Sequence, residues 1–140
     1  MRIAVVDGQG GGIGSVVIKK IRERYGESCE VWALGTNAIA TAQMLKAGAN
    51  RGATGPSALC YSVKKVDVII GPISIVIAYA MMGEVTPEMA AAIGESPAVK
   101  FLIPLTQEPV HVVGTVKEPL PHLVESLVSE YLSELIDKRV

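Results

Sequence analysis

The stretch Asp7-Gly8-Gln9-Gly10-Gly11-Gly12-Ile13-Gly14 follows the apolar run Arg2-Ile3-Ala4-Val5-Val6 and precedes Ser15-Val16-Val17-Ile18-Lys19-Lys20-Ile21. This order reads as strand, glycine-rich turn, helix. Glycines at 8, 10, 11, 12 and 14 let the backbone take positive φ and bring its N–H groups close to a ligand, while the next helix points its positive end at the same place. The combination predicts an anion site, most often one for phosphate.

Spacing narrows the choice of phosphate. A dinucleotide fingerprint G-x-G-x-x-G needs glycine at 8, 10 and 13, and position 13 is Ile. The alternative spacing Gly8-x-x-x-Gly12-Ile13-Gly14 resembles the nucleotide loop of short-chain dehydrogenases, with Asp7 where that family usually carries Thr. A nucleoside-triphosphate loop needs a lysine after its last glycine, and Ser15 stands there. That disfavours ATP or GTP hydrolysis.

The 140 residues suffice for one Rossmann-like domain, 1–140, but not for a dinucleotide domain plus a substrate domain. A net charge of −1 with scattered basic residues argues against a nucleic-acid partner. With no charged leader ahead of the first strand and no apolar run of membrane-spanning length, a cytoplasmic location without membrane contact is expected. Cys29 and Cys60 lack metal-ligand spacing and are expected to be reduced. A composition 49% hydrophobic but only 4% aromatic suits a parallel sheet of Val, Ile, Leu and Ala covered by small-residue helices.

Further strands are expected at 29–34 and 67–70, with a short strand or loop at 51–55 and helices at 36–47 and 57–65, which indicates βαβ units and a parallel sheet. Thr36 or Asn37 should cap the second helix, and Thr86 with Pro87 should open another. Ile73 to Met82 reads as a helix apolar all round. Strands are expected at 100–105 and at 110–114, the second as a candidate antiparallel edge strand. Leu120, Leu123, Val124, Leu127, Val128, Tyr131, Leu132, Leu135 and Ile136 recur at helical spacing and predict a C-terminal amphipathic helix. The predicted architecture is a three-layer Rossmann-like α/β sandwich of about five mostly parallel strands.

In such sheets ligands sit beyond the carboxyl ends of the strands. Four loops there combine glycine with small polar groups: Gly8 to Gly14, Gly35-Thr36-Asn37, Gly52-Ala53-Thr54-Gly55 and Gly71-Pro72-Ile73-Ser74. The candidate ligand-binding residues are Gly8, Gln9, Gly10, Gly11, Gly12, Ile13, Gly14, Thr36, Asn37, Thr54, Gly71 and Ser74. NAD usually meets an acidic residue after the second strand, and here the position reads Gly35-Thr36-Asn37. A mononucleotide or sugar phosphate therefore gains over NAD(P), though both remain candidate cofactors.

The stretches Ala33-Leu34-Gly35-Thr36-Asn37-Ala38-Ile39-Ala40-Thr41, Met44-Leu45-Lys46-Ala47-Gly48-Ala49, Gly52-Ala53-Thr54-Gly55, Ile69-Ile70-Gly71-Pro72-Ile73 and Gly83-Glu84-Val85-Thr86-Pro87-Glu88-Met89-Ala90 resemble an uncharacterised family of short bacterial proteins, domain-of-unknown-function family 3842. The likeness covers nearly the whole chain and implies membership without an established activity. Ala33-Leu34-Gly35-Thr36, Gly52-Ala53-Thr54-Gly55 and Asp67-Val68-Ile69-Ile70 also look like methylglyoxal-synthase-type domains, which bind phosphorylated metabolites at such loops. The glycine-rich first loop departs from that pattern.

Asp7 ends a strand at the mouth of the expected crevice, where a carboxylate can serve as a base, bind Mg²⁺ or cap the glycine turn. It is the candidate catalytic residue. Tyr61 and Lys65 match the Y-x-x-x-K spacing of short-chain dehydrogenases, but too early in the chain for that role. His111, within an expected strand, and His122 form no metal grouping, and Cys60 has no neighbouring base in sequence. Asp67 starts its strand at the opposite end of the sheet.

Three classes of function are compatible with these residues: binding of a nucleotide or other phosphorylated metabolite, an enzyme acting on such a metabolite, and an oligomeric interaction module working through Ile73 to Met82. An apolar helix there needs cover beyond one sheet, which predicts a homodimer or larger assembly burying Tyr79, Met81 or Met82.

Overall fold

The computed structural model describes residues 1–139 and contains a five-stranded, all-parallel sheet in the order β3-β2-β1-β4-β5. The strands are β1 (Arg2–Asp7), β2 (Glu30–Gly35), β3 (Arg51–Thr54), β4 (Val68–Pro72) and β5 (Val99–Ile103). β1 and β4 pair directly through Ile3 with Val68, Ala4 with Ile69 and Val5 with Ile70. The chain builds outward from β1 to β2 and β3, then returns to β4 on the other side of β1. The loops after β1 and β4 consequently diverge and leave a crevice between them, the general ligand position in open α/β sheets.

The central strands β1 and β4 are buried on both faces, as parallel strands covered by helices require. Helices α1 (Gly12–Tyr25) and α2 (Ala38–Lys46) cover one face together with a C-terminal helical segment. Val17, Ile18, Ile21, Met44, Leu127, Val128 and Leu132 pack there on Ile3, Val5 and Ile70. Helices α3 (Pro56–Ser62) and α4 (Pro87–Glu95) cover the other face, where Leu59, Val63, Met89 and Ile93 meet Ala4, Val6, Leu34 and Ile69. The three-layer sandwich is thus present.

The expected caps are found. Asn37 accepts from the amide of Ala40 at 2.9 Å, and Thr86 accepts from that of Met89 at 3.1 Å, with Pro87 in the first turn of α4. The C-terminal stripe folds as α5 (Leu120–Ser126), a π-helical turn (Leu127–Leu132) and α6 (Ser133–Lys138). The Tyr25 hydroxyl, from the last turn of α1, donates to the Val128 carbonyl at 2.9 Å.

Three expectations need correction. Ile73 to Met82 is not a helix: a 3-10 turn covers Ile73–Val76, and successive turns follow. Its β-branched residues lose side-chain freedom in a helix, and Ile75 and Ala80 find cover within their own chain against the α3 and α4 face. Val110 to Gly114 forms no strand, antiparallel or otherwise. It lies exposed in an irregular segment punctuated by Pro104, Pro109 and Pro119, and β5 pairs with β4 alone among the described residues. His111 is therefore exposed in a loop rather than set in a strand. Finally, α3 stops at Ser62, which leaves Lys65 beyond its end.

Close packing at the central crossing explains Gly71. A Cβ on this residue would sit 2.5 Å from the Val6 carbonyl oxygen and 2.9 Å from the Ile75 side chain. Gly71→Ala is expected to cost about 1–3 kcal/mol, the range for overpacking a filled site. Urea unfolding measures this, and a change below about 0.5 kcal/mol, the usual size for an inconsequential surface substitution, would refute the packing role.

Candidate functional site

The crevice is framed by the loop leaving β1, the segment after β4 and the segment after β5. Asp7, Gly8, Gln9, Gly10, Gly12, Ile13, Ser74, Tyr79, Met81, Thr106 and Glu108 are among the residues that line its volume of about 680 Å³. Its lining contains no lysine, arginine or histidine among the described residues.

Asp7 organises the loop. It is 4% exposed, and its two carboxylate oxygens accept from the amides of Gly8 at 2.8 Å and Gly14 at 2.7 Å. One side chain thus ties the first glycine of the turn to the first turn of α1. Burial pushes its pKa above the usual carboxylate value, and the amides of Gly14, Gly8 and Ile13 offset only part of that effect. Both oxygens are engaged by the loop, so the capping role foreseen for Asp7 is the one its geometry displays.

The glycines divide by purpose. Gly11 has φ +72° and a Cβ there would lie 2.9 Å from the Ala40 carbonyl; at Gly14 it would press on the Met44 sulfur at 2.5 Å. These two are required by the turn and by helix packing. Gly10 and Gly12 are different: neither has a positive φ, and a Cβ on either would meet nothing within 4 Å. Both are exposed and border the crevice. Ser74 faces the same space from the segment after β4, with its hydroxyl 2.9 Å from that of Thr106.

Thr36 and Asn37 converge with the glycine loop on a residue that the sequence reading did not single out. Glu84 Oε1 accepts from the Thr36 hydroxyl at 2.6 Å, the Asn37 side-chain amide at 2.9 Å and the Gln9 backbone amide at 3.0 Å. Burial opposes ionisation of Glu84, but these three donors together outweigh it and lower the pKa. The segment delivering Glu84 is strained. Tyr79, Met81 and Met82 have φ of 65°, 58° and 57°, each costing about 1–3 kcal/mol for a non-glycine residue. Glu108 helps hold it, accepting from the Met81 amide at 2.9 Å. The only sequence signal was Gly83-Glu84 itself, since the partners lie 47 to 75 residues away.

Other candidates lie elsewhere. Thr54, exposed at the end of β3, has its hydroxyl 2.7 Å from that of Thr41, and Gly71 is filled by packing; neither borders the crevice. Lys65 stacks over the Tyr61 ring at 4.6 Å on the surface. Cys29 is buried, Cys60 is half-buried, and both are free thiols. Asp67 sits at the foot of the sheet, where it accepts from the Arg2 amide and pairs with Arg139. Among the described residues no three His, Cys, Asp or Glu side chains are grouped to hold a metal, and no helix is long and apolar enough to cross a membrane.

The sequence matches the family described as "Domain of unknown function (DUF3842)" over residues 2–136, and the chain belongs to that family. No curated protein matches it. Among solved structures, it is similar to a dodecameric FMN-dependent Ubix-like decarboxylase from Escherichia coli O157:H7. That similarity is 15% in sequence identity with a TM-score of 0.47, covering 96% of this chain and 94% of that chain.

The raised pKa of Asp7 has a measurable consequence. A carboxyl that ionises less readily in the fold than in the unfolded chain withdraws stability as pH rises above its ordinary value of 3.8. Asp7→Asn should carry a constant penalty of about 1–3 kcal/mol for the mismatched amide partner, yet lack that pH-dependent loss. The stability gap between wild type and variant should therefore shrink as denaturant unfolding is repeated from pH 4 upward. A gap independent of pH would contradict the assignment.

Proposed function

For a member of this family with such a crevice, we propose a small-molecule binding role, with a nucleotide or other phosphorylated metabolite held at the loop Gly8 to Gly14. Gly10 and Gly12 carry the reading. Neither packing nor φ demands glycine at these two positions, so their lack of side chains serves close approach by something outside the chain. The N-terminus of α1 adds its positive end, and Ser74 and Thr106 offer hydroxyls. With no cationic side chain on the lining, the anion would be held by backbone amides and the helix dipole.

Inorganic phosphate, mononucleotides, NAD(P) and sugar phosphates compose the test panel for thermal shift. A true ligand at a hundredfold over its Kd should add about 2.7 kcal/mol of stability. Gly12→Val should remain folded, because a side chain there enters open space, and should lose the shift. A panel that moves nothing would reject the reading, and a shift retained in Gly12→Val would move the ligand away from this loop.

An enzyme acting on the phosphorylated ligand is the second reading, with Asp7, which lines the crevice, as its candidate residue. Tyr61 has no part in either. Tyr61→Phe is expected to leave any turnover intact, and a large loss of NAD(P)-linked turnover would overturn that.

The assembly belongs to the same proposal. Tyr79 and Met82 are 69% and 98% exposed at the crevice rim, and a homodimer or larger homo-oligomer would cover them. Light scattering at micromolar concentration should show an assembly that Tyr79→Glu weakens. A wild-type monomer would remove it.

A further inference from the structure

In a dinucleotide-binding sheet the pyrophosphate meets the first turn, and the ribose of the adenylate half lies at the end of the second strand, on an acidic residue. Here the end of β2 is already occupied. Thr36, Asn37 and Gln9 give their donors to one oxygen of Glu84, and Met81 lies so close over Gly8 that an added Cβ would be 2.5 Å from its sulfur. Met81 is only 8% exposed. Met81 borders the open volume, which extends toward Pro72, Ser74, Leu105 and Thr106, while Thr36, Asn37 and Glu84 lie outside its lining. We infer that Met81 and Glu84 form a clasp that fills the adenylate-ribose position and restricts the crevice to phosphate esters of mononucleotide size, excluding dinucleotides.

The backbone supports a specific role for the clasp. Chains avoid left-handed φ at bulky residues unless the surroundings impose it, and such strain gathers where a segment must be delivered to a site. Tyr79, Met81 and Met82 all take it within four residues, followed by Gly83 at φ 89° and then Glu84. Glu84 and Met81 are thereby set on the glycine loop from the run of turns that follows β4.

This inference rests on the crevice being a phosphate seat, and calorimetric titration of the intact protein separates the two. Inorganic phosphate reports the seat; AMP and NAD, which share one nucleotide half, report the clasp. Wild type should bind AMP at least about tenfold more tightly than NAD. Met81→Gly removes the side chain at a φ of 58° that glycine adopts without strain, so the fold is retained. It should tighten NAD and bring the ratio to within about threefold. Glu84→Ala should shift the AMP-to-NAD ratio in the same direction, with a single cooperative thermal unfolding transition as its control for folding. Equal affinity of wild type for AMP and NAD would overturn the clasp, as would a ratio unchanged in Met81→Gly. Phosphate binding without AMP binding would also overturn it while leaving the seat intact. Failure of wild type to bind any of the three would remove the seat, and the clasp with it.

Discussion

The carboxylate of Asp7 is the constraint on which the rest of the crevice depends. A loop containing five glycines has more backbone freedom than any other part of the chain, and ordering it is correspondingly costly. Asp7 removes that freedom at both ends, taking the Gly8 amide on one side and the Gly14 amide on the other. Between these anchors the Gly11 amide closes a turn onto the Gly8 carbonyl at 2.9 Å. The glycines at 10 and 12 are then presented on a fixed frame. Burial of the carboxyl is the unfavourable part of the arrangement, and it holds the Asp7 pKa above the ordinary carboxylate value.

Backbone amides and hydroxyls, with the carboxyl groups of Asp7 and Glu108 and no cationic side chain among the described lining, give this crevice a character unlike that of a basic pocket. Backbone amides and hydroxyls act at contact distance, whereas a lysine or arginine attracts an anion from a Debye length away. A ligand held by such groups would be selected by fit and hydrogen-bond direction, with little electrostatic steering. Glu84 shows the local strength of the donors: an ionised carboxylate rests on three of them, below its ordinary pKa despite partial burial.

What could be read from the sequence was whatever is encoded locally. The strand-turn-helix at the N-terminus, the caps at Asn37 and Thr86 and the C-terminal stripe each depend on neighbours within a few residues, and each is in place. The expectations that failed were set by distant partners. Val110 to Gly114 has the composition of a strand, but a strand needs an edge to pair with, and the prolines around it hold the segment away from β5. Ile73 to Met82 looked helical by hydrophobicity alone, while its actual course follows from Glu84 reaching Thr36 and Asn37 across the sheet. Thr36 and Asn37 stand out for their donors, and Glu84, on which those donors converge, is marked locally only by the Gly83-Glu84 pair.

The bond between Tyr25 and the Val128 carbonyl joins the foot of α1 to the π-helical turn of the C-terminal segment. A π turn bonds each carbonyl to the amide five residues on rather than four, a local widening within the helical segment. Helix α1, at 14 residues, is a lever about 21 Å long. Its foot is bonded to that turn, and its head carries Gly12, Ile13 and Gly14. One helix therefore runs from the bond with the C-terminal segment at Tyr25 to the crevice lining at Gly12 and Ile13.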